Sequence, residues 1–273
     1  MELKNRIRRK STNLFLGPGG GLEVLGIAIP LFISQASETV MLFTDRLFLS
    51  KLGPEQMSAA MGGGTVSFLA VTFFIGLIGY STAMVAQRFG ANQSEKCAVI
   101  TTQALAISFL AYPIIIAFIP LGKILFTKAG ISPEQLKYQI PYFQIIMFGN
   151  ITVLLRNSLS CFFSGIGKTR VIMVANVACM ILNVGINYLL VFGKLGFPQL
   201  GVRGAAYGTI ISGLASLMIL VVAYFHKNNV HKYDVLKSFH LKKGLFKELF
   251  HFGYPAGLEL FFGQIGFALM IIA

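Results

Sequence analysis

Five stretches of this chain, residues 56–87, 97–122, 138–155, 171–193 and 204–226, contain no lysine, arginine, aspartate or glutamate. Each reaches or exceeds the roughly 18 apolar residues that a helix needs to cross a bilayer. In hydrocarbon a backbone must satisfy its own polar groups, so such runs are helices unless they alternate at period two and close a barrel. No such alternation is present. The composition agrees: 55% of the residues are hydrophobic, 12% are charged and the mean hydropathy is +0.72, whereas soluble domains are about a quarter charged. The expected fold class is an all-α polytopic membrane protein.

Seven helices are expected, at 22–49, 59–85, 97–121, 140–163, 171–192, 205–225 and from 252 to the end. Assigning alternate loops to the two sides puts sixteen of the 23 lysines and arginines on the N-terminal side and seven on the other. The positive-inside rule then places the N-terminus in the cytoplasm. That bias, with attraction to anionic lipid, accounts for the net charge of +13 without nucleic acid. The first apolar segment is too long for a signal-peptide core, so the N-terminus is expected to stay attached. The polar connection at 226–247 carries Leu241, Leu245 and Glu248 at near-helical spacing ahead of Phe252, which reads as an interfacial amphipathic helix.

Several motifs are set aside on physical grounds. Cys97, Cys161 and Cys179 are odd in number and lack metal or disulfide spacing, so they read as small buried hydrophobes. His226, His231 and His240 match no common ligand pattern and sit in a basic linker. "SGIGKT" at 164–169 lacks the earlier glycine and the preceding strand of a phosphate loop. Paired carboxylates, a histidine cluster and an activated nucleophile are all missing, so the chain is read as neither an enzyme nor a cofactor protein.

A repeat bears on organisation. Glu23 precedes Pro30 by seven residues and Glu248 precedes Pro255 by seven, both at an offset of 225. Parallel repeats of six helices preserve orientation, as transporters often do, and imply a parent of roughly 450 residues. Rhodopsin-like receptors also have seven helices but begin outside the cell. The expected division is a basic cytoplasmic N-terminus at 1–21, a six-helix lobe at 22–226, a basic cytoplasmic linker at 227–247, and at 248–273 a truncated seventh helix that opens a second lobe.

Charges inside a span cost about 2.5 to 3.5 kcal/mol each and persist where they meet a partner or a cavity. At 100° per residue, Ser34, Glu38 and Asp45 fall in a stripe roughly 40° wide on the first segment, while Arg46 points away. Asp45 can lie in the outer headgroup region beside Arg46 or Lys51, or face a cavity. In the fifth segment Asn176, Asn183 and Asn187 share one face, suited either to interhelical hydrogen bonding or to a water-filled cavity that binds a small hard cation or relays a proton. Gln35 and Glu259 are further polar candidates for such a cavity. Pro30 removes a backbone hydrogen bond and can serve as a hinge. Gly204 and Gly208, spaced G-x-x-x-G, suit close helix packing.

Pro30, "TDRLFLSKLG" closing the first segment, "FFSGIGKTR" between the fourth and fifth, "LNVGINYLLVFG" closing the fifth and "LGVRGAAYGTIIS" opening the sixth together resemble the multidrug and toxic compound extrusion (MATE) family of secondary exporters. The resemblance implies two six-helix lobes facing a central cavity, of which this chain holds the first and the start of the second. It implies export of amphipathic, often cationic compounds across the cytoplasmic membrane in exchange for Na+ or H+, with no cofactor. By motif the family's N-lobe cation site falls on Asp45, Asn183, Asn187 and Thr209, and its proline hinge on Pro30. Several relatives carry Asp where this chain has Asn187, which removes a titratable group and favours Na+, although Asp45 alone could carry a proton. The carboxylate that some relatives use in the seventh helix sits later than Glu259. Two other readings are a lipid-linked oligosaccharide flippase of the same superfamily, which would need a strongly cationic cavity, and a truncated, non-transporting fragment.

Overall fold

The computed structural model describes residues 20–272, with side chains as far as residue 266. Six of its helices are long and apolar enough to cross a membrane: α1 (Gly21–Ser50), α2 (Pro54–Gly90), α3 (Ser94–Lys128), α4 (Pro133–Gly165), α5 (Thr169–Phe192) and α6 (Val202–Tyr224). A short helix, α7 (Lys227–Tyr233), and a 3₁₀ turn (Val235–Lys237) lead into α8 (Lys243–Ile272). No strand occurs among the described residues. The chain is a multi-pass all-α membrane protein, as its charge-free runs require. The segment at 1–21 lies outside the described residues, Gly20 and Gly21 excepted.

The helices overrun their apolar stretches because their start signals lie in the polar flanks. Ser132 caps α4, its hydroxyl accepting from the Gln135 N–H at 3.3 Å, and Pro133 occupies the first turn, where no N–H is needed. Glu55, Glu95 and Glu134 sit in the first turns of α2, α3 and α4, at the positive end of each helix dipole. α2 is interrupted at Tyr80 and α3 at Phe118. Pro120 accounts for the second break. At the first, Asn157 from α4 donates to the Ile75 carbonyl at 3.1 Å, one turn before the break, an insertion of the kind that disrupts a helical ladder.

α1 packs chiefly on α5, α5 on α6, α6 on α4, and α4 on α2 and α3, while α8 lies against α2. The main core runs between α2, α3 and α4, with Leu77, Ile100, Ile115, Met147 and Leu154 buried in it. Phe162 meets Tyr224 edge-on at 4.9 Å and ties α4 to the end of α6. α1 is different, because its buried residues are only Pro30, Ser34, Ser37 and Leu49. Its hold on the bundle therefore rests heavily on polar contacts.

The linker is docked rather than free. Thr102 and Ser238 share a hydrogen bond at 3.2 Å, and Gln103 Nε2 donates to the His240 carbonyl at 3.0 Å. Arg88 at the end of α2 pairs with Glu248 on α8 at 3.4 Å. Leu245, Glu248 and Phe252 lie on the first turns of α8, so the amphipathic segment continues into the apolar helix and is not a separate interfacial one.

Lipid is as apolar as leucine, so helices in a membrane associate through close approach and small residues. α2 and α8 meet this way. A Cβ on Gly257 would lie 2.6 Å from the Phe73 carbonyl oxygen, one on Gly76 would lie 2.7 Å from that of Ala256, and one on Gly253 would strike the Leu77 carbonyl. Gly253→Val is expected to cost about 1–3 kcal/mol through overpacking. Thermal unfolding of the purified protein should show it, whereas Gly244→Ala, with nothing within 4 Å of its Cβ, should leave the midpoint in place.

Candidate cation site and polar cavity

Two polar clusters hold α1 to the bundle. Seven residues, roughly 10 Å along the helix, separate Glu38 in the first from Asp45 in the second. Both lie on the face that α1 turns to α5.

In the Asp45 cluster Asn187 of α5 donates from Nδ2 both to Asp45 Oδ1 and, at 3.2 Å, to Asn183 Oδ1. Asn183 donates in turn to Thr209 Oγ1 of α6 at 3.5 Å, and that hydroxyl donates to the Ala205 carbonyl at 2.9 Å. Asn183 and Asn187 are fully buried, while Asp45 and Thr209 are half-buried. The sequence-derived set Asp45, Asn183, Asn187 and Thr209 is thus brought together in space. Arg46 is exposed, and Asp45 takes its hydrogen bond from an amide.

One atom is out of balance. Asn187 Oδ1 is buried without a hydrogen-bond partner among the described residues. An unmet buried carbonyl costs about 1–3 kcal/mol, and here it sits on the same side chain that holds a carboxylate. Gly208 makes room for it, because a Cβ at that position would collide with Asn187 Oδ1. That role adds to the close packing expected of Gly204 and Gly208. A carboxylate, two amide oxygens and a hydroxyl form an all-oxygen donor set, which suits a small hard cation.

The Glu38 cluster, the inner one if the N-terminus is cytoplasmic, joins three helices. Asn176 of α5 donates from Nδ2 to Ser34 Oγ at 2.6 Å and to Glu38 Oε1 at 3.2 Å. Arg156 of α4 donates to Asn176 Oδ1 at 3.2 Å and pairs with Glu38 at 3.7 Å. These groups open on a cavity of about 610 Å³ whose lining includes Gln35, Phe68, Asn157 and Ser160. Glu38 and Asn176, expected as polar cavity residues, and Gln35 all line it. Glu259 lines a different space, beside Tyr80, Thr82 and Asn157. Sequence reasoning did not give Arg156 a partner, although a lone cation ending the charge-free run 138–155 was the available signal.

Pro30 is buried within α1 and leaves the Gly26 carbonyl without its helical donor. One residue on, the Ile27 carbonyl accepts from Thr169 Oγ1 at 3.1 Å, fastening this weakened turn to the first residue of α5. No group of three or more His, Cys, Asp or Glu that could hold a metal is found among the described residues.

A double-mutant cycle over Asp45→Ala and Asn187→Ala, read by thermal unfolding, is expected to give a coupling of about 0.6–1.7 kcal/mol, the range for intramembrane hydrogen bonds. Additive single effects would remove the hydrogen bond from the account.

The family model described as MatE matches residues 30–189. Over 253 residues the chain is 26% identical to a probable multidrug resistance protein NorM of Halalkalibacterium halodurans, covering 91% of this chain and 55% of the relative. It is 28% identical over 258 residues to the multidrug resistance protein MdtK of Proteus mirabilis, covering 92% and 55%. The chain spans about half the length of these relatives. Among solved structures, an outward-facing multidrug resistance MATE family transporter of the MOP superfamily superposes with a TM-score of 0.80 at 23% identity, over 92% of this chain and 54% of that one. A MATE structure in the bent conformation superposes at 0.76 and 24% identity, over 86% and 53%.

Proposed function

Because the chain belongs to the MatE family, we propose that it supplies the first lobe of a two-lobe antiporter that exports amphipathic, cationic compounds in exchange for Na+ or H+. In this reading residues 22–226 are that lobe, 248–273 open the second, and the lysine-rich side faces the cytoplasm. The named relatives are multidrug resistance proteins and transporters, a class of transport proteins and not of enzymes. The observation that carries the site assignment is the buried Asn187 side chain, whose Nδ2 donates to the Asp45 carboxylate while its Oδ1, at Gly208, has no partner among the described residues.

The chemistry follows from desolvation. Without a cation, Asp45 is a carboxylate inside a membrane span and leans on the Asn187 amide. A sodium ion bound by Asp45, Asn183 and Thr209, with the Asn187 amide turned so that Oδ1 replaces Nδ2 beside the carboxylate, would satisfy the unmet oxygen and neutralise the carboxylate. A proton on Asp45 would neutralise it too, and the acid O–H could then donate to Asn187 Oδ1 once the amide turned over. Either event changes how α1 is held to α5, and the turn at Pro30 is where α1 can yield. A ligand shifts such an equilibrium only by its differential affinity for the two states, so coupling requires Asp45 to exchange partners between them. The cavity with Glu38 would receive the exported compound, its Phe68 side offering apolar contact.

Expressed within a two-lobe protein, Asp45→Asn is expected to reduce cationic-dye efflux to the level of cells lacking the transporter, at unchanged membrane abundance. Normal efflux by that variant would overturn the mechanism. Varying Na+ at constant pH, then pH at constant Na+, assigns the coupling ion.

A further inference from the structure

A groove of about 580 Å³ lies between α5 and α6 at the end of the bundle that carries the N-terminus of α1. Its wall is apolar: Val171 from the first turn of α5, and Met218, Ile219 and Val222 from the last turns of α6. Met218 and Val222 are 60% and 64% exposed, so this wall faces outward from the bundle.

The head of the groove is basic and held in place. Asn229 is buried and donates to the Ala223 carbonyl at 2.7 Å, while its Oδ1 accepts from Lys168 Nζ at 2.8 Å. Lys232 lies outside the lining but close enough for its charge to act on Lys168, its ammonium over the rings of Phe89 and Tyr233 at 5.3 and 5.6 Å. Burial, with the charge of Lys232 added, pushes the Lys168 ammonium below the usual lysine value. Three carboxylates have cations of their own: Glu248 pairs with Arg88, Glu38 with Arg156 and Asp234 with Lys237. Two cations, Lys168 held by a neutral amide and Lys232 by aromatic faces, above an apolar wall form a site for an anion that carries hydrocarbon.

We propose that this groove binds one anionic phospholipid, with its phosphate on Lys168 and Lys232 and an acyl chain along Met218, Ile219 and Val222. Charge selects the head group, since basic pockets between spans attract anionic lipid at about 1 kcal/mol per lysine or arginine. The apolar wall selects a membrane lipid over a soluble phosphate. The site is independent of the cation cluster, which is tied through other faces of α5 and α6.

The test titrates the purified full chain, in a neutral detergent, with phosphatidylglycerol or phosphatidylcholine of matched chains while native mass spectrometry counts bound lipid. The wild type is expected to prefer phosphatidylglycerol by on the order of tenfold. Lys168→Gln with Lys232→Gln should bring that preference close to one, and arginine at both positions should restore it. Lys194→Gln with Arg203→Gln, on the opposite side, should keep it. Met218→Asn with Val222→Asn should weaken both lipids, and glycerol phosphate alone should displace neither. The proposal is overturned if the lysine variant keeps the preference, if glycerol phosphate displaces the lipid, or if a second copy of the chain covers this face and excludes lipid.

Discussion

A carboxylate inside a membrane span has to be partnered, and the arrangement of α1, α5 and α6 around Asp45 follows from that constraint. Asn187 gives Asp45 its hydrogen bond, Asn183 receives the second one from the same amide, and Thr209 closes the chain of contacts onto α6. The geometry works because Gly208 has no side chain where the Asn187 oxygen lies. Each partner thus comes from a different turn or helix, and among the described residues the carboxylate is met by dipoles and forms no ion pair. In the proposed mechanism such a site would take up one positive charge without first breaking an ion pair.

The Glu38 cluster obeys different electrostatics. Glu38 already has a cation, Arg156, and both are anchored by Asn176. The two clusters share α1, whose apolar burial is slight, and the turn around Pro30 is fastened by the Thr169 hydroxyl. Polar contacts therefore decide where α1 sits, while the glycine-lined contact of α8 with α2 and the apolar core of α2, α3 and α4 hold the remainder together. In the proposed mechanism α1 is the element that would move against the remaining helices.

The spans were legible because hydrocarbon admits so few charges, and the 100° step of a helix was enough to align Asn183 and Asn187 with a carboxylate on α1. The helix ends were less so: Ser132 and Pro133 start α4 in a polar flank that hydropathy alone assigns to a loop. The interruption of α2 at Tyr80 has no proline to announce it, since the Asn157 amide beside it arrives from α4. The pairing of Glu38 with Arg156 was hidden for the same reason, because it depends on how α4 is rotated against α1. Gly208 could be read as a packing residue, but the amide that fills its missing side chain could be known only from the fold.

The central claim is that the Asp45 cluster takes up a monovalent cation. Difference infrared spectroscopy on the purified chain, with the Asp45 carboxyl band identified by its loss in Asp45→Asn, tests this directly. The band is predicted to shift on addition of Na+ at constant pH, or on acidification, and to stop responding once the site is full. An Asp45 band that stays unchanged through both titrations would contradict the account.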